Sequence, residues 1–94
     1  MRMQFMIYCL DKEGAAALRT ANRQAHLDYL KKFIERVVAA GPLLSDDGAG
    51  MIGSLLLMEF PDRAGAEGFA LNDPYRQAGL FQKVVITPWR KVLP

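Results

Sequence analysis

The stretch Arg2-Met3-Gln4-Phe5-Met6-Ile7-Tyr8-Cys9-Leu10 decides the fold. Read as a strand, it puts Met3, Phe5, Ile7 and Cys9 on one face and Gln4, Met6, Tyr8 and Leu10 on the other, because successive side chains alternate. Both sets are largely apolar, whereas a strand with one wet face keeps one set polar. The opening strand therefore needs cover on both sides, and a single small chain has few elements with which to supply it.

Outward from this strand, Asp11-Lys12-Glu13-Gly14 is an exit loop and residues 15–35 read as a helix. Ala15, Ala16, Ala17 and Leu18 are good helix formers. Leu27, Leu30, Phe33 (or Ile34) and Val37 recur at the spacing of an apolar stripe. Asp28, Lys31, Lys32 and Glu35 fill the outer face, with Asp28 and Lys32 a favourable i,i+4 pair. Val37–Leu44 reads as a second strand interrupted by Gly41-Pro42, so it lies at a sheet edge or bulges. Residues 45–50 form a hairpin turn, and Met51–Phe60 is a third, strongly apolar strand. Pro61 stops it, and Asp62 suits the N-cap of a helix through Leu71. Asn72-Asp73-Pro74 breaks that helix. Proline is tolerated in a first turn, so a short helix is expected from Pro74 to Gly79. Phe81–Val92 is the last strand. The order β-α-β-β-α-β is that of a ferredoxin-like α+β fold, with residues 1–94 as one domain.

With 94 residues, 51% of them hydrophobic and 23% charged, the chain has the composition of a folded domain. A chain this short buries only about 60–65% of its unfolded surface, so self-association is expected. The pI is 8.9, yet the 12 basic and 10 acidic residues are interspersed. No basic stripe suggests nucleic acid as a partner. Cys9 is the single cysteine, which excludes an intramolecular disulfide and thiolate-rich metal sites. The opening residues do not form a signal segment, and no apolar run approaches ~18 residues. A cytoplasmic protein without membrane partners is the expectation.

Chemistry concentrates in two short motifs, Arg23-Gln24-Ala25-His26-Leu27 and Asp73-Pro74-Tyr75. His26 is the single histidine and stands at the margin of the apolar stripe. Its ordinary pKa near ~6.5 suits acid–base work at neutral pH, though a structural histidine fits the same place. Arg23, three residues earlier, shares its helical face. There it favours a neutral imidazole or holds an anion. Asp73 either caps the helix that Pro74 opens or accepts a hydrogen bond from an imidazole. Ser54 follows Gly53 early in the third strand, without a nucleophile-elbow pattern, and its hydroxyl suits a ligand contact. Tyr8 and Tyr75 line a pocket or simply pack, and Cys9 reads as a small buried hydrophobe. One histidine without a cysteine pair makes no metal ligand set, and no glycine loop between strand and helix cradles a phosphate.

Taken together, Tyr8, Arg23-x-x-His26-Leu27, Ala40-Gly41-Pro42-Leu43, Gly53-Ser54, Glu59-Phe60, Asp73-Pro74-Tyr75-x-x-Ala78-Gly79 and Pro88 resemble the YciI-like (YCII-related) family over nearly the whole chain. The resemblance implies a dimeric α/β barrel. In it each chain contributes a four-stranded antiparallel sheet with two helices on one face, and the open faces meet across a two-fold axis. It implies an active site built on a His–Asp pair, here His26 and Asp73. The same fold serves muconolactone isomerases, and dehydrochlorinase activity is connected with the family. One departure is that Glu35-Arg36 runs into Val37 without a glycine between helix and strand.

The expectation is a homodimeric, cofactor-independent enzyme of the lyase, dehydrochlorinase or isomerase kind acting on a small anionic or phenolic molecule. His26 moves the proton, Asp73 orients it, and Arg23, Tyr8, Ser54 and Tyr75 bind the substrate. The rival expectation is a non-catalytic small-molecule binding or accessory module using the same cleft.

Overall fold

The computed structural model describes residues 2–94. Its elements are β1 (Met3–Asp11), α1 (Ala16–Lys31), β2 (Val37–Leu44), β3 (Met51–Phe60), α2 (Arg63–Leu71), α3 (Pro74–Gln77) and β4 (Phe81–Trp89). The strands form one antiparallel sheet in the order β2-β3-β1-β4. This is the ferredoxin-like arrangement, with the two most apolar strands, β3 and β1, in the middle.

Register decides which residues meet. Phe5 lies opposite Met58, Ile7 opposite Leu56 and Cys9 opposite Ser54 across the β1–β3 pair. Ile7 also faces Ile86 and Cys9 faces Val84 on β4. The helices cover this face. Phe5, Ile7, Cys9, Leu56, Met58 and Phe60 form the core with Ala66, Phe69 and Ala70 of α2, and Tyr29, Leu30 and Phe33 pack against them. Full burial of a side chain such as Phe5 or Ile7 stabilises by roughly 1.5–3 kcal/mol. Tyr29 ties the helices together, since its hydroxyl donates to the Phe69 carbonyl at 2.8 Å. The alternate set, Met6, Tyr8, Leu10, Leu55, Leu57 and Val85, is half-buried on the opposite face. No helix among the described residues covers it.

Gly41-Pro42 does what its sequence demands. β2 is an edge strand, and it is also irregular, with register shifts between Val37 and Ala39 and between Leu43 and Leu44. Two boundaries and one side-chain pairing differ from the sequence reading. The α1 helix ends at Lys31 rather than at 35, and Ile34–Arg36 form a 3-10 turn. The cause is tertiary. Lys32 and Phe33 make tight bonds to the carbonyls of Tyr29 and Leu30, at 3.1 and 2.9 Å, and Phe33 turns in among Tyr29 and Phe69. That tightening reaches β2 without the missing glycine and leaves Ile34 64% exposed. The expected Asp28–Lys32 pair does not form, because Asp28 instead accepts from the Gln24 amide at 2.9 Å. Finally, β4 stops at Trp89 rather than Val92, because Trp89 pairs with Gln4, near the start of β1.

Candidate active site

The site begins at the break between α2 and α3. Pro74 opens α3, and the Asp73 carboxylate caps it by accepting from the Tyr75 N–H at 2.9 Å. The short helix closes with the Gly79 N–H on the Arg76 carbonyl and the Leu80 N–H on the Tyr75 carbonyl, 3.0 and 3.1 Å. That closing turn needs a residue in the left-handed region, and Gly79 supplies it at φ +77°. Tyr75 is thereby fixed at both its N–H and its carbonyl, and it is almost fully buried.

His26 of α1 meets this corner. Its Nδ1 lies 2.9 Å from Asp73 Oδ1, the same oxygen that caps α3. Both readings of Asp73, cap and imidazole partner, therefore hold at a single atom. The His26 ring stacks on Tyr75 with centroids 4.1 Å apart and planes 15° from parallel. A carboxylate only accepts, so Nδ1 is the donor in this contact, and in a neutral imidazole the unprotonated nitrogen is then Nε2. Nε2 makes no hydrogen bond among the described residues, and it is not one of the buried unpartnered atoms. His26 itself lines a cavity beside this corner.

That cavity, of about 260 Å³, is bounded by α1, α3, β2 and β3, with Arg19, Arg23, His26, Ser54 and Tyr75 supplying its polar wall and Leu27, Leu30, Pro42, Met51 and Leu56 its apolar one. Four of the residues expected from sequence to form a site with Asp73 thus line one space. Tyr8 does not. It belongs to the set of β1 that points away from the helices, opposite Leu55 and Val85, on the far side of the sheet from His26.

Sequence reading passed over Arg19 and Asp11. Arg19 is buried on α1. Its Nε and Nη2 donate to the two oxygens of Asp11 at 2.7 and 3.0 Å, and Nη2 also donates to Ser54 Oγ at 2.9 Å. Its guanidinium carbon stands 4.5 Å from the Tyr75 ring centre. Burial works against the Arg19 charge, and its bonds to the Asp11 carboxylate outweigh that, so the guanidinium pKa is raised. The available signal was spacing: Arg19, Arg23 and His26 stand at i, i+4 and i+7, one face of a helix.

Three further details shape the chemistry. Burial raises the Tyr75 phenol pKa, with Arg19 and Arg23 pulling the other way. Burial, aided by the nearby Asp73 carboxylate, pushes the Cys9 thiol up to about 12, so Cys9 is an inert thiol under the site rather than a nucleophile. Gly53 holds Ser54 in place, since a Cβ at that position would overlap the Cys9 carbonyl oxygen. A wider hollow of about 440 Å³ lies at the other end of β1, among Arg2, Gln4, Glu59 and Trp89, but none of its residues is buried. Among the described residues no three His, Cys, Asp or Glu side chains cluster as a metal site. No helix is long and apolar enough to cross a membrane.

Comparison with known proteins bears on the family and the fold. A family model, the YCII-related domain, matches residues 3–90. The YciI protein of Escherichia coli strain CFT073 is 34% identical over 97 residues, covering 96% of this chain and 99% of that protein. The structure of 5-chloro-2-hydroxyhydroquinone dehydrochlorinase from Burkholderia phenoliruptrix AC1100, in complex with 2,5-dihydroxybenzoquinone, is similar with a TM-score of 0.87. It is 35% identical, and the match covers 94% of each chain. A Mycobacterium tuberculosis protein at 12% identity and TM-score 0.56, covering 100% of this chain and 98% of its own, shares the fold alone.

Proposed function

Since this chain belongs to the YCII-related domain family, we propose that it is a small cytoplasmic enzyme that moves a proton on a hydroxylated aromatic molecule, with His26 as the base. The observation that carries this reading is the buried His26–Asp73 contact at 2.9 Å, which leaves Nε2 as the basic nitrogen of a side chain that lines the cavity. Asp73 orients the ring and stabilises the imidazolium that forms. Arg23, exposed at the cavity wall, attracts an anionic or phenolic oxygen. Ser54 and Tyr75 bound the ring of the substrate. The similar dehydrochlorinase suggests an elimination. Nε2 takes a hydroxyl proton and returns it to the halogen-bearing carbon, so that the hydroxyl becomes a carbonyl and the carbon becomes tetrahedral; it then takes a second hydroxyl proton, the released pair passes through the ring, and halide leaves with the carbon–halogen pair to give a quinone. An isomerisation stops after the first proton has been returned to carbon.

We further propose that the working form is a homodimer whose chains meet through their open sheet faces. Tyr8 then belongs to the interface rather than to the pocket of its own chain.

The test is chloride release from 5-chloro-2-hydroxyhydroquinone by the wild-type chain and by His26→Asn. Turnover is expected in the wild type, with a loss of roughly 10²–10⁴-fold in the variant at an unchanged circular dichroism spectrum. Full turnover in folded His26→Asn would remove the base from the reading. Binding of hydroxylated aromatics, seen as a raised melting temperature, without turnover of any of them would assign the cleft to a binding module instead.

A further inference from the structure

We propose that Arg19 is a positioning residue that fixes Ser54 as a hydrogen-bond donor, so that the site selects molecules carrying an acceptor oxygen in addition to the proton that His26 removes. The inference rests on the reading of the cavity as the site for a hydroxylated aromatic, and it adds the second point of recognition.

The geometry leaves the Ser54 hydroxyl one role. Arginine has donors and no acceptor, so in the 2.9 Å contact Arg19 Nη2 donates and Ser54 Oγ accepts. The hydroxyl proton must then point elsewhere, and no described residue accepts it. Ser54 lines the cavity, so that proton is available to a bound molecule. A hydroxyl that accepts from a cation is polarised and donates more strongly. The group that touches Oγ is a guanidinium, which does not take a proton from it.

Arg19 is held for this work. Two parallel bonds to Asp11 lock its plane, as bidentate arginine–carboxylate pairs do. The Tyr75 ring lies against it on the other element of the site. Asp11 neutralises its charge, so Arg19 acts on the ligand through the Ser54 dipole, while Arg23 contributes open positive charge. The cavity thus carries a base at Nε2 and a donor at Ser54 Oγ. A ring with a hydroxyl and a carbonyl or phenolate oxygen answers both.

The experiment measures binding of 2,5-dihydroxybenzoquinone by calorimetry to the full chain and to Ser54→Ala, Ser54→Thr and Arg19→Lys. Ser54→Ala is expected to weaken binding about 10-fold, the effect of one lost hydrogen bond, and Ser54→Thr to retain most of the affinity because it keeps a hydroxyl. Arg19→Lys is expected to match Ser54→Ala, with the double variant little worse than either, since coupled residues are not additive. Unchanged affinity in Ser54→Ala, or a fall in Arg19→Lys melting temperature with affinity intact, overturns the inference alone. If Arg19→Lys does not fold, the Ala and Thr variants at position 54 decide. Failure of the wild type to bind the quinone overturns the substrate class itself, and the inference with it.

Discussion

At Asp73 a single oxygen receives both the Tyr75 N–H and His26 Nδ1, and the two duties separate by substitution. Asparagine caps helices about as well as aspartate, so Asp73→Asn is expected to keep α3 and its melting temperature. It removes the charge that supports the imidazolium. Under the proposed chemistry turnover then falls by about 10²-fold or more, the scale on which an orienting carboxylate acts. Steady-state kinetics beside thermal melts read both, and a drop below about tenfold would leave Asp73 as a cap only. Cys9 gives a pH prediction. Its thiol moves from an ordinary 9.0 to about 12, so between those values the unfolded chain releases a proton that the folded chain keeps. Stability is thus undiminished below pH 9 and falls as pH rises above it, by up to about 1.4 kcal/mol per unit. Melting curves across that range should fall less steeply in Cys9→Ala than in the wild type, and parallel curves would contradict the burial effect. His26, Asp73 and Ser54 were legible because each stands at a local signal: a lone histidine, a proline break, a glycine. Arg19 was not, since an arginine on a helix ordinarily reads as its wet face, and its partner Asp11 is brought to it only by the packing of α1 against β1.

The strands and helices followed from periodicity and punctuation. Alternation gave the faces of β1, Pro42 marked β2 as an edge strand, and Asp62 and Pro74 opened α2 and α3. The end of α1 escaped because no residue between Lys31 and Val37 is a helix breaker, and the docking of Phe33 against Phe69 sets the stop. In α2, Asp62 accepts from the Gly65 N–H at 2.9 Å, so Asp62→Ala should destabilise by about 1 kcal/mol while Asp62→Ser changes little; urea titrations compare the two directly. In β3, Gly53→Ala must push the strand away from the Cys9 carbonyl. A shift of this kind costs about 1–3 kcal/mol. Because Ser54 is the next residue, quinone affinity should weaken together with stability, and an alanine variant as stable as wild type would contradict the close approach.

For the molecule as a whole, the helices lie on one face of the sheet and Met6, Leu10, Leu55, Leu57 and Val85 are left on the other. Pairing of two such faces across a two-fold axis buries both patches at once. Sedimentation is expected to give about twice the 10.5 kDa chain mass, and Leu57→Glu, which places a charge within that face, should shift the population to monomer. Wild-type sedimentation as a monomer at micromolar concentration would remove the proposed dimer. The shared oxygen of Asp73 also bears on descent. A lineage that gives up proton transfer still needs a cap before Pro74, so selection for folding retains the aspartate, or a serine or asparagine in its place, long after the chemistry has gone. His26 has no comparable structural duty at its Nε2. Relatives that keep the aspartate and replace the histidine are therefore expected to be retired enzymes, and the histidine, rather than the carboxylate, is the residue by which an active lineage is told from a silent one.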